Sequence, residues 1–265
     1  MKRLFSIAFA LFALAVAEFA MASAVVTTAT GATQVQTGTA PVRPLRIGDR
    51  VNQGDTVSTG PASSLVLKFD DGQVTALTAN SRMTVTAFQY SADTQRGNVF
   101  LSLVSGGMRM VTGLIGKNQP EKVAIRAATA TIGIRGSDVS VSLQGGNVLL
   151  TVTDGLATFT VGTQTVTVSI GTGAFLGPNG QVSQGTINQI SANLSGTPEG
   201  LAVLTSLGGL QGLTNEINKA VPGTPPSGKD QSTTPGQGTG TGQGTPTGPT
   251  GPTGGSSGGG TGSQN

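Results

Sequence analysis

Residues 25–182 alternate apolar and polar side chains with a period of two, and glycines interrupt this alternation at short intervals. A period of two places successive side chains on opposite faces of a β-strand, so that one face can be buried. The same stretch is rich in Val, Thr, Ile and Leu, and no helical period interrupts it. The pattern predicts about ten to twelve short strands in a single all-β domain.

The clearest hairpin pattern surrounds Gly145-Gly146, which suits a two-residue loop. Pairing the flanking residues outward from this loop makes one face wholly apolar and the other face mostly polar. The predicted pairs are Gln144 with Asn147, Leu143 with Val148, Ser142 with Leu149, Val141 with Leu150, Ser140 with Thr151, Val139 with Val152 and Asp138 with Thr153. A slip of one residue would mix the two faces, so the pattern specifies the register.

Two further hairpins are predicted by the same test. A loop at Gly162-Thr163 pairs Phe159 with Val166, Thr158 with Thr167, Ala157 with Val168 and Thr160 with Thr165. A loop at Asp71-Gly72 pairs Phe69 with Val74, Leu67 with Ala76 and Leu65 with Thr78. Asp-Gly is a strong signal for a type I′ turn, in which both central residues have positive φ.

The first 24 residues have the order of a secretory signal peptide. Met1-Lys2-Arg3 is a cationic start, the run from Leu4 to Ala17 is uncharged, and Ala22-Ser23-Ala24 is an A-x-A cleavage pattern. Ala20-Met21-Ala22 offers a second site two residues earlier. The apolar run is shorter than the roughly 20 residues of a spanning helix, so an uncleaved anchor is the less favoured alternative. We expect a mature chain that begins near Val25, in the periplasm or outside the cell.

Charge and missing residue types exclude several classes of function. Loss of Lys2, Arg3 and Glu18 leaves 13 basic and 11 acidic residues, a net charge of +2, and the basic residues are too scattered for nucleic-acid binding. The chain has no His and no Cys, which excludes Ser-His-Asp and Cys-His catalysis, zinc sites built from these residues, and disulfides. The absence of Trp disfavours a carbohydrate-binding platform. We expect no enzyme activity and no cofactor.

The composition changes after the strand-rich region. Residues 183–221 lose the alternation and gain leucines, and a helix is predicted there. Its start is indicated by Thr197 as N-cap, Pro198 at the first helical position and Glu199 in the first turn. Leu201, Leu204 and Leu207 would form its apolar stripe, and Gly208-Gly209 would end it. A second short turn is expected from Leu213 to Lys219. These pieces either cover an open end or edge of the β domain or bind a partner, and the sequence leaves both open.

Residues 222–265 contain no Ala, Val, Ile, Leu, Met, Phe or Tyr, so they have nothing to bury. A segment of this kind cannot offset its ordering entropy, and we expect a disordered tail. The predicted division is therefore a signal peptide (1–24), a β domain (25–182), a short helical or irregular segment (183–221) and the tail (222–265).

Asp70-Asp71-Gly72 is a candidate calcium-ligating or catalytic acidic pair, and Gly48-Asp49 and Gly54-Asp55 are candidate metal ligands. Asp154-Gly155 is a fourth acidic position beside glycine. The neighbouring glycines favour β-turns instead, and the nonapeptide calcium repeat is absent. We therefore predict structural turns at all four, with no catalytic, cofactor-binding or metal-binding residues.

Arg135-Gly136-Ser137-Asp138 is the most distinctive polar cluster, and it follows the alternating residues Ile132 and Ile134. Gly136 permits a bulge or a close backbone approach, and Arg135 and Asp138 can form a local ion pair. The cluster has either a structural role or a role in contacting a partner.

Several motifs in a fixed order resemble the FecR domain family, an extracytoplasmic all-β module of bacterial envelopes. They are a G-D-x-L-x-x-G-D-x-I-x-T-G run from Gly48-Asp49 to Thr59-Gly60, an F-x-D-G turn at Phe69, Asp71 and Gly72, an L-x-x-G-x-x-R segment from Leu103 to Arg109, a T-P-x-A-x-x-x-V-R-G-T element from Ala128 to Ser137, and a V-x-E-G segment from Val152 to Gly155. Ser137 stands where the family has Thr, and no Pro precedes that element.

The resemblance implies a twisted, solenoid-like stack of β-hairpins outside the cytoplasm. In the best-known members, the domain belongs to a membrane-spanning regulator that reads an outer-membrane iron-siderophore receptor and controls a sigma factor. Because we identify neither a cytoplasmic anti-sigma segment nor a spanning helix in the sequence, we expect a non-catalytic interaction module that binds a protein or envelope partner through its β surface. The alternative is a periplasmic sensor that acts with a separate membrane protein.

Truncation after Val221 should leave the melting temperature and the β circular dichroism of the mature chain unchanged, because the tail has no apolar side chain to bury. As a flexible tether, the 44 removed residues would span about 35 to 40 Å. Thermal unfolding of the full and truncated chains tests this prediction. A cooperative loss of stability in the truncated chain would show that the tail packs on the domain.

Overall fold

The computed structural model of the chain describes residues 23–196 and 198–212. The strands in this part are β1 (Ser23–Thr30), β2 (Thr33–Thr37), β3 (Arg43–Pro44), β4 (Arg50–Asn52), β5 (Asp55–Thr59), β6 (Ser64–Phe69), β7 (Val74–Leu77), β8 (Arg82–Ser91), β9 (Arg96–Val111), β10 (Val123–Ala127), β11 (Ala130–Gln144), β12 (Asn147–Val161), β13 (Gln164–Ser169), β14 (Thr172–Leu176) and β15 (Val182–Thr186). The helices in this part are α1 (Leu114–Asn118), α2 (Ile187–Leu194) and α3 (Pro198–Gly212), with a 3-10 turn at Pro120–Lys122.

Some sequence predictions fall outside these residues. They are the signal peptide up to Ala22, the short turn from Leu213 to Lys219 and the disordered tail. Ser23 and Ala24, which the sequence assigns to the signal peptide, are described and begin β1. The predicted domain boundaries stay predictions.

The described strands join in one hydrogen-bonded sheet, which confirms the all-β fold. Its main path runs β15-β14-β12-β11-β10-β9-β7-β6-β1-β4, and β2, β3, β5, β8 and β13 pair beside this path. The hairpins β6–β7, β8–β9, β10–β11, β11–β12, β12–β13 and β14–β15 follow one another along the chain. β10 instead runs parallel to β9, and α1 and the 3-10 turn lie in the connection that a parallel pairing requires.

The hairpin at Gly145-Gly146 has the predicted register from Gln144–Asn147 to Val139–Val152. Both loop glycines have positive φ, at 56° and 86°, as a two-residue hairpin loop requires. The register departs from the prediction at Asp138, which pairs with Asp154 rather than Thr153, because the pairing shifts between Asp138 and Val139 and leaves out Thr153 of β12. The hairpin at Gly162-Thr163 also has the predicted pairs.

The hairpin at Asp71-Gly72 exists, but its predicted register is wrong by one residue. β6 and β7 pair Lys68 with Val74 and Leu67 with Thr75, and the loop is longer than two residues. Gly72 has a φ of 84°, whereas Asp71 does not have positive φ, so the loop is not a type I′ turn. The alternation failed here because both faces of these strands are buried, so that it could not select the register.

The described strands share one large apolar core, to which they contribute from β1 at one end to β14 at the other. Phe69 and Phe88 pack edge-to-face within it, with ring centroids 5.0 Å apart. Each fully buried Val, Leu, Ile or Phe stabilises the fold by about 1.5 to 3 kcal/mol relative to an exposed one. A smaller cluster on the opposite face of the sheet contains Val66, Val74 and Ala76.

α2 and α3 cover part of this opposite face rather than an open end or edge of the domain. Leu149 of β12 packs with Ile190, Leu194 and Val203 in a separate apolar cluster. α3 also contacts β9 and β11. These contacts favour the covering role over partner binding for the described part of the helical segment.

The predicted helix begins at Pro198 as expected, but it continues through Gly208-Gly209 to Gly212. Of the predicted leucine stripe, Leu204 packs against the apolar cluster around Leu149, whereas Leu201 is 57% exposed and Val203 is fully buried instead. The helix lies close to the sheet at Gly107, where an added Cβ would meet Ser206 Oγ at 2.2 Å. The helix face towards the sheet therefore includes Val203, Leu204 and Ser206 rather than Leu201.

Val141→Asp should destabilise the domain by at least about 3 kcal/mol, because it places an unpaired charge in the fully buried core. Ser142 is on the polar face but is also fully buried, so it does not provide an exposed control. Thr131→Asp on the same strand is exposed and should cost under about 1 kcal/mol. Urea unfolding of the variants tests the register, and equal losses for Val141→Asp and Thr131→Asp would contradict it.

Candidate interaction surface

Two of the acidic turn residues hold loops near the start of the domain. The Asp49 carboxylate accepts a hydrogen bond from the Arg46 amide at 2.9 Å and forms an exposed ion pair with Arg43 at 3.2 Å. Asp55 is buried, and its carboxylate accepts hydrogen bonds from the Asn52 amide at 2.8 Å and from the Thr37 hydroxyl at 2.5 Å. Both carboxylates therefore satisfy local donors, as the turn prediction requires.

Asp70 and Asp71 point to different partners on either side of the β6–β7 loop. Asp70 Oδ2 accepts a hydrogen bond from the Ser23 backbone N–H at 2.7 Å. Asp71 is buried and accepts hydrogen bonds from the backbone N–H groups of Gln73 at 3.0 Å and Ile115 at 3.4 Å. Burial raises the pKa of the Asp71 carboxyl above its usual range, and these hydrogen bonds offset only part of that effect. The two residues anchor β1 and α1 to one loop.

Asp154 is exposed and lies opposite Asp138 on the neighbouring strand. Within residues 23–196 and 198–212, no three acidic side chains come together in a way that could hold a metal ion. The described carboxylates are thus distributed among separate turns and strands.

The predicted bulge at Gly136 is confirmed, and the Ser137 side chain forms hydrogen bonds across it. Gly136 has a φ of 60°, and the β11–β12 pairing is interrupted between Arg135 and Asp138. Ser137 Oγ accepts a hydrogen bond from the Leu156 backbone N–H at 2.9 Å and donates one to its carbonyl at 2.5 Å. The serine hydroxyl therefore replaces the ladder bonds that the bulge removes. The close backbone approach is at Gly155, where an added Cβ would lie 2.7 Å from the Gly136 carbonyl.

The ion pair expected between Arg135 and Asp138 does not form. Asp138 instead binds Arg109 of β9, with Nε to Oδ1 at 2.8 Å and a second contact from Nη2 to Oδ2 at 2.5 Å. The two side chains are only 11% and 14% exposed, and the bidentate geometry is the strong form of this interaction. Arg135 is exposed and makes no ion pair with any described residue.

The helix-bearing face of the sheet is divided into two parts. Ser142 and Leu149 lie in the part that α2 and α3 cover, and the Arg109–Asp138 pair lies further along β11. Beyond the bulge the face is uncovered. We call this uncovered part the open face, and its residues are Thr131, Arg135, Leu156, Thr158, Thr160, Thr165, Thr167 and Ser169.

The open face is mostly hydroxyl-bearing, with one apolar and one basic side chain at its centre. Leu156 is 43% exposed and lies directly opposite Arg135 on one side and Ser169 on the other. Ile170, which follows β13, is 60% exposed. Arginine is enriched at protein–protein interfaces, whereas leucine, serine and threonine are under-represented among interface hot spots, so Arg135 is the side chain of this face most typical of a protein contact.

β13 borders the open face, and among the described strands it pairs only with β12. Its outer edge is therefore available to an added strand, apart from the Thr167 carbonyl, which accepts a hydrogen bond from Gln184 at 2.6 Å. Neither the open face nor this edge could be predicted from the sequence, because the threonine alternation of β12 and β13 is the same whether or not a helix covers it.

A shallow depression of about 400 Å³ lies at the tip of the β11–β12 hairpin. Its lining includes Ser102, Ser105, Val104, Arg126 and Gly145, and Arg126 is the one titratable side chain among the lining residues. A lone arginine supplies neither a general base nor a nucleophile. This depression is a second candidate contact area.

Comparison with known proteins supports the family assignment. A family model described as FecR protein matches residues 55–158, in agreement with the resemblance of the sequence motifs. That range contains β5 to β11 and most of β12. No curated protein sequence matches the chain.

Two similar solved structures are crystal structures of a candidate anti-sigma factor from Parabacteroides distasonis ATCC 8503. The first is 13% identical, with a TM-score of 0.42, and the match covers 54% of this chain and 65% of that one. The second is 12% identical, with a TM-score of 0.42, and covers 52% of this chain and 62% of that one. The match therefore spans less than two thirds of either solved chain. No helix in residues 23–196 or 198–212 is long and apolar enough to cross a bilayer.

Asp71→Asn should remove a pH dependence of stability in the acid range. Because the folded-state pKa of Asp71 is raised, the folded chain binds more protons than the unfolded chain between the two pKa values. The contribution of Asp71 to the free energy of unfolding therefore falls as the pH rises from about 3.9 through the folded-state value. Urea unfolding of wild type and variant from about pH 4 to about pH 7 isolates this term.

Asp93→Asn is the matched control, since Asp93 is exposed on a loop, and its stability profile should follow wild type. If the stability of wild type rose relative to Asp71→Asn across that pH window, the buried, proton-binding role of Asp71 would be refuted.

Arg109→Ala and Asp138→Ala should be coupled by about 1 to 3 kcal/mol in a double-mutant cycle, because the two side chains form a largely buried bidentate pair. The parallel cycle of Arg135→Ala with Asp138→Ala should show almost no coupling. Chemical unfolding of the single and double variants measures both values. Stronger coupling for Arg135 than for Arg109 would contradict the observed pairing.

Proposed function

We propose that this chain is a non-catalytic, extracytoplasmic interaction module of the bacterial envelope, which binds a protein or envelope partner through the open face of its sheet. The observation that supports this most directly is the open face itself. It places Leu156 and Arg135 side by side, uncovered, next to the outer edge of β13. A partner can cover the leucine, bind the arginine and add a strand to the edge at the same time.

The chemistry of the chain supports binding rather than catalysis. The sequence has no His and no Cys, and Asp49, Asp55, Asp70 and Asp71 accept hydrogen bonds from nearby backbone groups. These carboxylates are engaged in holding loops, so they are poorly placed to act as an acid-base pair. The sequence pattern at the N-terminus supports export to the periplasm or beyond.

The FecR match supports a regulatory signalling role as the second candidate. In that case the module is a periplasmic sensor component, and a separate membrane protein carries the signal inward. The same open face would then contact either the receptor or the membrane protein. The two candidates differ in the identity of the partner, not in the surface that binds it.

Site-specific photo-crosslinking in the native envelope tests the proposal. A photoreactive residue at Leu156 or Thr167 should give a defined adduct, because both positions lie on the open face. The same residue at Val42, which is 52% exposed in the N-terminal part, is the matched control. Val104, also 52% exposed, probes the depression at the β11–β12 tip.

Adducts from positions 156 and 167 but not from 42 or 104 would support the open face. Adducts confined to Val104, or equal adducts from all four positions, would refute it. Identification of the adduct by mass spectrometry then separates the two candidates: a receptor or sigma regulator indicates a sensor, and a wall or adhesin component indicates a module.

A further inference from the structure

Two cleavage patterns overlap at the end of the N-terminal apolar run. Ala20-Met21-Ala22 would release a chain that begins at Ser23, and Ala22-Ser23-Ala24 would release one that begins at Val25. Small residues occupy the required positions in both, so the sequence rules do not separate them. The two sites differ in whether Ser23 and Ala24 remain in the folded domain, and the contacts of these two residues distinguish them.

Ala24 is part of the core. Its side chain is fully buried in the main apolar cluster. In β1 it lies between Phe69 of β6 and Val51 of β4, and it pairs with both. A chain that begins at Val25 would lose this contact and would retain one of the three residue pairs between β1 and β4, the pair with Arg50.

Ser23 makes polar contacts through each of its backbone and side-chain groups. Its backbone N–H donates to Asp70 Oδ2 at 2.7 Å, and its carbonyl accepts from the Asp70 amide at 3.1 Å. Its hydroxyl accepts a hydrogen bond from Arg50 Nη1 at 2.9 Å. Removal of Ser23 would leave the Asp70 carboxylate without this backbone donor and would remove the serine partner of Arg50.

We infer that the signal peptide is removed after Ala22, and that the new α-ammonium group of Ser23 binds the carboxylate of Asp70. Hydrolysis by a signal peptidase adds water to the Ala22–Ser23 peptide bond, so the carboxylate stays on Ala22 and the amine, which takes up a proton, stays on Ser23. The nitrogen already lies 2.7 Å from Asp70 Oδ2. Cleavage therefore converts a hydrogen bond from a neutral amide to a carboxylate into an ion pair between an ammonium and a carboxylate, because an α-amino group is mostly protonated at neutral pH.

Cleavage at this bond would make the N-terminus a structural element of the domain. The β6–β7 loop would then hold the chain terminus through Asp70 and α1 through Asp71. Trimming by two residues would be expected to loosen β1 and β4 while the β11–β12 hairpin, at the other end of the strand order, stays intact.

This inference depends on the export proposed above, and intact-mass measurement of the protein recovered from the envelope or medium tests both. A mass that begins at Ser23 supports the cleavage site. A mass that begins at Val25 refutes the site and leaves export standing. A mass that includes Met1 refutes export as well.

A processing variant provides a second measurement that does not depend on folding. Ala20→Gln alters a residue that the Ala22 site requires and the Ala24 site does not. Accumulation of precursor, or a shift of the product mass to a Val25 start, is the expected result. Unchanged processing to the wild-type product would refute cleavage after Ala22.

The docking of the ammonium group is tested on full-length mature chains that begin at Ser23 or at Val25. The Ser23 chain should melt several degrees higher, and Asp70→Asn should lower the melting temperature of the Ser23 chain but not that of the Val25 chain. Asp93→Asn is the matched exposed control. Equal effects of Asp70→Asn in both chains would refute the docking.

Discussion

The pairing of β11 with β12 is the constraint on which the rest of this domain depends. β11 pairs with β12 along almost its whole length and with β9 and β10 on its other side, and β12 pairs in turn with β13 and β14. Residues at alternate positions, such as Val139 and Val141, enter the main core. The residues between them form the opposite face, which becomes partly helix-covered and partly open.

A break in this pairing sets the boundary between the two parts of that face. The bulge at Gly136 shifts the register, and the Ser137 hydroxyl forms hydrogen bonds with the backbone N–H and carbonyl of Leu156. Just before the regular pairing resumes toward the hairpin tip, Asp138 reaches across to Arg109. The ion pair thus connects β11 to β9 beside the bulge, and the proposed partner surface begins at Arg135 on its other side.

Strand register could be predicted from the sequence wherever one face of the strands is buried and the other is polar. The register at Gly145-Gly146 was predictable for this reason, whereas the β6–β7 hairpin was not, because Leu65, Val66 and Leu67 are all buried. Alternation then contains no information about which way a residue points. α2 was missed although a capping-box pattern, Thr186 followed by Gln189, was present.

The candidate surface was less predictable than the fold. The partner of Asp138 could not be deduced locally, because Arg109 lies 29 residues away and is brought close only by the β9–β11 pairing. Sequence proximity favoured Arg135 instead. Which threonines are covered also depends on where α3 lies, and that depends on a close approach at Gly107 which no periodic pattern records. Tertiary contacts, rather than local propensity, therefore determine the surface that is open.

Residue-level native-state hydrogen exchange on the mature chain tests whether the β11–β12 pairing is the most stable part of the sheet and whether the face and edge at β13 are uncovered. We expect amides from Val139 to Leu143 to exchange only through global unfolding, since strands pair with β11 on both sides. Alternate amides of β13, which point to its outer edge, should exchange orders of magnitude faster. Protection of the whole of β13 equal to that of β11 would contradict the open edge, and rapid exchange in β11 would contradict the stability of the β11–β12 pairing.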